Sequence, residues 1–466
     1  MQIRSKFTRL KKYFSSYWIR SGFFSFSQRF STTLFGFVNF IILIRGGLTK
    51  EQMGVWALFL LVTTLFESAK AQLLKNAHIR YAAGSENKDR IVIASSSLLL
   101  NIVVSALFIL ILSSFSDNLS NWLHVGQELN EMWLWFIPGV VAIVAFSHFE
   151  AISQSHLDFK GTFAGYLVRQ VFFFCVLIYY KLNGIPFSLV HLAIFYSISI
   201  FLGAIALYFF TRKYLSFQFL PSVVWMKKLL SFGRYVFGTG LLGTLFGSVD
   251  QLLIAKFTMQ SSSIASYNAA SRINAIVDMP SYSAAEIMLP KVAKMMNEEG
   301  LGKMKYIYER MVGILLSFTL PISLFIIFFP KLVILLIVGS DYLDAALILQ
   351  LYMLAGILRP AQNQAANLLM SIGKARFCFI VNGLYLTGML LINYLCLRFI
   401  DNFYGAAIGT VISSFLGLIV WYFIMKKQLG VEFRNFFIYI IDTYKIVFTQ
   451  LRQISNKMKS VPFFMR

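Results

Sequence analysis

The chain has 466 residues, 58% of them hydrophobic and only 13% charged, with a mean hydropathy of +0.69. A soluble globular domain carries about 25% charged residues, so this chain is excluded from that class and reads as an all-α polytopic membrane protein. The formal net charge of +22 would suit nucleic acid, but the basic residues are scattered over loops beside apolar runs, and no soluble segment is large enough to gather them, which excludes that partner.

In chain order, residues 1–20 (MQIRSKFTRLKKYFSSYWIR) are basic and aromatic and lack a small-residue cleavage site behind a short apolar core. They read as a cytoplasmic N-terminal segment rather than a signal peptide. Twelve apolar runs follow that begin near Phe23, Gly54, Ile91, Met132, Phe163 and Leu189, then near Tyr235, Ile264, Met311, Ala345, Phe377 and Tyr404. Each is about 20 residues long, enough to cross ~30 Å of hydrocarbon.

The two sets of six repeat one another. TLFGFVN at residues 33–39 returns as TLFGSVD at residues 244–250, an offset of 211 that also pairs Gly22 with Gly233, Phe26 with Phe237, Arg45 with Lys256, Trp56 with Tyr267 and Glu67 with Asp278. SIFLGAIALYFFTRK (199–213) returns as SSFLGLIVWYFIMKK (413–427) at an offset of 214. One duplication with small insertions accounts for both. The expected architecture is 12 transmembrane helices in two parallel six-helix repeats: a lobe over residues 21–213, a cytoplasmic linker over 214–233, a second lobe over 234–427 and a cytoplasmic amphipathic tail over 428–466. Six spans per half make the second copy enter the membrane in the same direction as the first, as in transporters of two equivalent halves. In the linker Trp225 stands beside Lys227 and Lys228, the pattern of a helix lying on the membrane surface. NEEGLGKMKYIYER (297–310) and the tail read similarly.

Orientation follows from Lys and Arg, because basic loops stay cytoplasmic. With the N-terminus inside, 31 of the 42 basic residues fall in inside segments and only six outside: Arg45, Lys50, Lys181, Lys256, Lys331 and Arg398. Both termini are thus expected in the cytoplasm, with the basic loops facing anionic lipid head groups. The outside loops are short, the longest spanning residues 113–131.

Five basic residues lie within spans: Arg29, Lys70, Arg169, Arg272 and Arg359. A charge in a span costs several kcal/mol unless it meets water or a partner, so each is a candidate for function. On the first span Arg29, Thr32, Gly36 and Asn39 form one polar, small-residue stripe, repeated on the seventh as Gly240, Gly243, Gly247 and Asp250. Such a stripe suits either cavity lining or helix packing. Glu67 and Lys70 share a face as an ion pair or as substrate contacts. Asn268 lies with Arg272 on one face of the eighth span, Asn274 with Asp278 on another, and Arg359, Asn363 and Asn367 follow at i, i+4 and i+8 beside Pro360. Arg169, near Tyr166 and Gln170, is open to a structural hydrogen bond with a neighbouring helix. Arginines inside helices suit a phosphate-bearing substrate, because guanidinium binds phosphate through paired hydrogen bonds; the surrounding amides suit sugars. Neither the three cysteines nor the five histidines have the spacing of a disulfide framework or metal site, so no metal, cofactor or catalytic residue is expected.

VDQLLIAKFTMQSSSIASYNAASRINAIVDMPSYSAAEIMLPKVAK (249–294) resembles the seventh and eighth helices of polysaccharide flippases: Asp250, then Ala265-Ser266-Tyr267 where the family usually has Gly-x-Tyr, then Pro290. LRPAQNQAANLLMSIGKARF (358–377) is similar to the family's tenth helix and LTKEQMGVWAL (48–58) to its first outside loop. The family sits in the MOP superfamily beside O-antigen and exopolysaccharide exporters, lipid II flippases and MATE multidrug exporters. The resemblance implies a V-shaped pair of six-helix lobes around a cationic cavity in the bacterial inner membrane. Undecaprenyl-pyrophosphate-linked glycan would be flipped there by alternating access, alone or with other polysaccharide assembly proteins, with H+ or Na+ as the candidate coupling ion. It makes Arg29, Arg272 and Arg359 candidates for phosphate or acidic-sugar contact, with Arg169 and Lys70 as further cationic positions and Asn39, Asn268, Asn363 and Asn367 as polar lining. Asp250, Glu67 and Asp278 become candidates for gating or ion coupling. The alternatives are a MATE-type drug or cation antiporter, against which the excess of intramembrane arginine counts, and a membrane-embedded oligosaccharide polymerase or glycosyltransferase, against which the short outside loops count.

Overall fold

The computed structural model describes residues 17–83, 85–122, 127–216, 218–247, 249–258, 260–371, 374–400 and 402–459, with side chains left undescribed at some of them, notably 17–22 and 282–301. Most of the N-terminal basic segment, the surroundings of Gly240 in the small-residue stripe and the side chain of Pro290 therefore lie outside what is described.

Every regular element among these residues is helical. In chain order they are α1 (Tyr17–Arg45), α2 (Lys50–Lys70), a π-helical turn (Ala71–Lys75), α3 (Asn76–Ala83), α4 (Asn87–Trp122), α5 (Gln127–Ser155), α6 (Phe159–Leu182) and α7 (Leu189–Thr211). Then come α8 (Val223–Phe246), α9 (Val249–Thr258), α10 (Ser261–Phe328), α11 (Pro330–Ile337), α12 (Ala345–Ser371), α13 (Ala375–Ile400), α14 (Tyr404–Leu429) and α15 (Phe433–Lys459). Helices are the expected outcome, since a chain in hydrocarbon must satisfy its own backbone groups.

Among the described residues ten helices are long and apolar enough to cross a membrane, which makes the chain a multi-pass membrane protein. They follow the order of ten of the twelve expected spans. The remaining two expectations, the seventh and eighth, fall on α8–α9 and on the first turns of α10, which carry Asp250, Arg272, Asn274 and Asp278. Large side chains exposed on these helices, among them Leu110, Phe209, Leu384, Leu391 and Phe423, are apolar; in lipid such positions face a matching solvent. The loop expected over residues 113–131 is shorter than its sequence suggests, because α4 stays helical to Trp122 and α5 begins at Gln127.

Two compact units divide the chain, residues 1–268 with 337–341 and residues 269–336 with 342–466, and the boundary falls inside α10. In the first unit α5, α6 and α7 pack together, α1 runs along α6, and α8 packs on the π turn and on α2–α4. Small residues permit the closest approaches. Gly165 and Gly203 meet across α6 and α7, where a Cβ on either would come within 3.1 Å of the other's carbonyl oxygen. Trp225 and the neighbouring lysines belong to the first turns of α8, and Trp225 packs edge-on against Tyr81.

In the second unit one core draws Met304, Tyr308 and Val312 of α10 together with Ala365 and Leu368 of α12, Trp421 and Met425 of α14 and Phe436 of α15. Gly430 ends α14 in the left-handed conformation (φ 67°) that its missing Cβ permits. The tail then turns into α15. Buried Glu309 of α10 accepts the Glu432 N–H at 2.9 Å and the Asn435 amide at 2.8 Å, setting a carboxylate at the positive end of α15. Farther along, Tyr444 donates to the Ser317 carbonyl at 2.6 Å. The start of α15 is therefore fastened lengthwise to the Gly302–Phe328 span, while Phe437, Ile441 and Phe448 stay exposed.

Candidate functional site

Each unit holds an acid–arginine pair. In the first, the Gly165–Gly203 crossing brings α6 close to α7, and one turn along from it Arg169 grips Glu67 of α2 with both terminal nitrogens, at 2.9 and 3.3 Å. Its Nη2 also donates to the Tyr196 hydroxyl of α7 at 2.6 Å. Tyr196 is held in turn by a ring cluster of Trp56, Phe59, Phe136 and Phe173. Arg169 is buried, while the Glu67 side chain keeps 26% exposure. Lys70, expected as a partner of Glu67, instead extends its ammonium to Ser105 of α4 at 3.4 Å and lies 5.3 Å from the Phe66 ring.

In the second unit the exposure is reversed. Arg359 of α12 donates to Asp278 of α10 at 2.7 Å, its side chain 22% exposed against 4% for the carboxylate. The same oxygen, Asp278 Oδ2, accepts the Asn274 amide at 3.1 Å. Gly356, one turn before Arg359, lets the helices approach: a Cβ there would lie 3.4 Å from Asn274 Oδ1. Glu67 and Asp278 are the two acids that the 211-residue offset aligns; Asp278 is buried, where a lone charge would be costly. Their arginines come from non-equivalent spans, the fifth and the tenth.

The other expected positions are spread over both units. Asp250 is buried and accepts the Tyr267 hydroxyl at 2.5 Å, which joins two residues of the quoted family-like stretch across α9 and α10. Beside it Asn268 donates to Gln251 at 3.4 Å. Arg29 is exposed on α1, ten residues before buried Asn39, while Arg272, Asn363 and Asn367 are half-buried. Asn363 and Asn367 continue the α12 face of Arg359.

Several polar contacts escaped the sequence reading. Tyr196 carries no charge and stands in an apolar run, so nothing marked it, while Tyr267 was marked by the family-like signature but not as a partner of Asp250. Glu150, bound by Lys75 at 3.0 Å and Gln154 at 3.1 Å, was visible as an acid inside an apolar helix. Gln364 ties α12 to the Ser281 carbonyl of α10 at 3.0 Å, and Gln362 ties it to Ser414 of α14 at 2.5 Å.

The helical fold of the chain is shared with solved structures of transporters. The chain aligns with the lipid II flippase MurJ in an inward closed conformation at a TM-score of 0.73 and 16% identity, covering 92% of both chains. With an inward-facing multidrug resistance MATE family transporter of the MOP superfamily the TM-score is 0.74 at 17% identity, covering 85% of this chain and 94% of the other. A MOP superfamily transporter from Pyrococcus furiosus aligns at 0.61 and 16% identity, covering 88% and 95%. Identities this low establish the fold, which is that of MOP superfamily transporters. No curated protein matches the sequence. The family is given by the sequence profile: residues 47–347 match that of the polysaccharide biosynthesis proteins, and the chain belongs to that family.

Proposed function

We propose that this protein is a flippase, not an enzyme. It moves undecaprenyl-pyrophosphate-linked oligosaccharide repeat units from the inner to the outer leaflet of the bacterial inner membrane by alternating access. It does so with 12 helices in two six-helix repeats and both termini in the cytoplasm. The observation that carries the reading is Arg359: within a span of a polysaccharide biosynthesis protein its side chain keeps 22% exposure, and it ends in the group suited to a phosphate head that must leave water. Arg272 and Arg29 are the further phosphate contacts, and Asn363 and Asn367 offer amides to the sugars. The lipid tail stays in the bilayer while the head crosses. Glu67 supports coupling to H+ or Na+, because its carboxylate is the accessible member of its pair; the same feature favours a MATE-type cation antiporter as the second reading.

The test is flipping of a fluorescent undecaprenyl-pyrophosphate glycan in proteoliposomes by wild type, Arg272→Ala and Arg359→Ala. The expected result is wild-type flipping that falls at least tenfold in both variants while folding is retained. Unchanged flipping would assign those arginines to packing. Cation-driven drug efflux without glycan flipping would hand the protein to the antiporter reading.

A further inference from the structure

Asp278 and Arg359 meet at a weak point of α12. Pro360 has no N–H, so the Gly356 carbonyl, one turn earlier, receives no helical hydrogen bond from it, and such a position is where helices bend. The ion pair ties α12 to α10 at this position. Arg359, half-buried, is the more exposed member, with Tyr352 5.6 Å away under the guanidinium. An incoming anion thus reaches the arginine without Asp278 first moving, and it must compete with a carboxylate already bound at 2.7 Å.

That competition has chemical consequences. A carboxylate ligand, such as an acidic sugar, offers Arg359 only what Asp278 already provides. A diphosphate brings more charge and more acceptor oxygens to a fork of N–H donors and outcompetes it. The displaced Asp278 would then rest on Asn274, whose amide already binds the same oxygen.

Resting on the flippase reading of Arg359, we propose that Asp278 is a built-in competitor that raises the affinity an anion needs to take Arg359, a threshold that a lipid-linked diphosphate passes and an acidic sugar does not, and that its displacement unlatches α12 at Pro360. Asp278 is a positioning residue here, since it acts through Arg359.

The purified full-length protein would be titrated by calorimetry with geranyl pyrophosphate, inorganic pyrophosphate and glucuronate, after each variant is shown to elute and melt like wild type. Wild type is expected to bind geranyl pyrophosphate, and glucuronate at least tenfold more weakly. Asp278→Asn should bind geranyl pyrophosphate about tenfold more tightly and gain measurable affinity for glucuronate. Asn274→Ala keeps the competitor but removes its second support, so it should bind several-fold more weakly. Arg359→Ala should lose binding and abolish the effect of Asp278→Asn in the double variant. A packing role would move Asp278→Asn and Asn274→Ala in the same direction, and that result overturns the proposal, as does unchanged affinity in Asp278→Asn. Should Asp278→Asn fail to fold, tighter or unchanged binding by Asn274→Ala overturns it. Equal affinity for inorganic pyrophosphate overturns the lipid-linked assignment. The opposite-sign pattern in a protein that flips no glycan would keep the latch and reject the flippase; flipping without the pattern would reject the latch alone.

Discussion

Replacing Glu67 with alanine would leave the Arg169 guanidinium buried, with the neutral Tyr196 hydroxyl in place of a carboxylate as its acceptor. Removing one partner of a buried ion pair costs about 3–5 kcal/mol, because the other charge stays desolvated, whereas replacing both by apolar groups is often neutral. Glu67→Ala is therefore expected to lower the unfolding midpoint in detergent sharply, and Glu67→Met with Arg169→Leu together to recover most of the loss. A double variant whose loss equals the sum of the two single losses would show that the pair adds no coupling. The residue scale is also where sequence reading was weakest. Arg169, Arg359, Glu67 and Asp278 stood out because charge in a span is costly. Which acid meets which arginine depended on helices separated by 102 and 81 residues, and local spacing carries no such information; it suggested Glu67 with Lys70.

At the scale of one element, α15 shows how an amphipathic tail acquires a fixed seat. Its periodicity allows it to lie on a membrane surface or against protein. Tyr308, Gly313 and Ser317 of α10 supply the groove, with Phe436 and Tyr439 packed into it, and Glu309 caps the first turn. Glu309→Ala removes charge-assisted hydrogen bonds to that turn, each worth about 1.5–3 kcal/mol. Hydrogen exchange over residues 433–444 should accelerate by at least tenfold while α12 and α14 keep their protection. Acceleration throughout the second unit would mean that α15 is part of its cooperative core.

For the whole molecule, the topology is the property most open to a direct check. The excess of Lys and Arg on one side predicts a cytoplasmic C-terminus and a cytoplasmic connection before α8, with the turn at Gly184 outside. Alkaline phosphatase fused after Gly184 should be active, and fusions after Pro221 or Arg466 inactive; the reverse pattern would invert the orientation. The internal repeat and the compact units describe different things. A duplication, as the 211-residue offset suggests, would put the joint of two halves at residues 214–233, whereas compactness follows packing, which seats α8 on α2–α4 and divides the chain at Asn268.

The sequence by itself determined the solvent, the element type and the class of protein. A chain that is 58% hydrophobic in runs of membrane length has no soluble option and, within hydrocarbon, helices satisfy its backbone. The order of family-like stretches was legible because these are local strings. Tertiary structure alone decided how the charges inside those helices are neutralised: Arg169 with Glu67 through a glycine crossing, Arg359 with Asp278 beside a proline. The physical reason is that desolvation sets the need for a partner locally, while only packing at a distance supplies one.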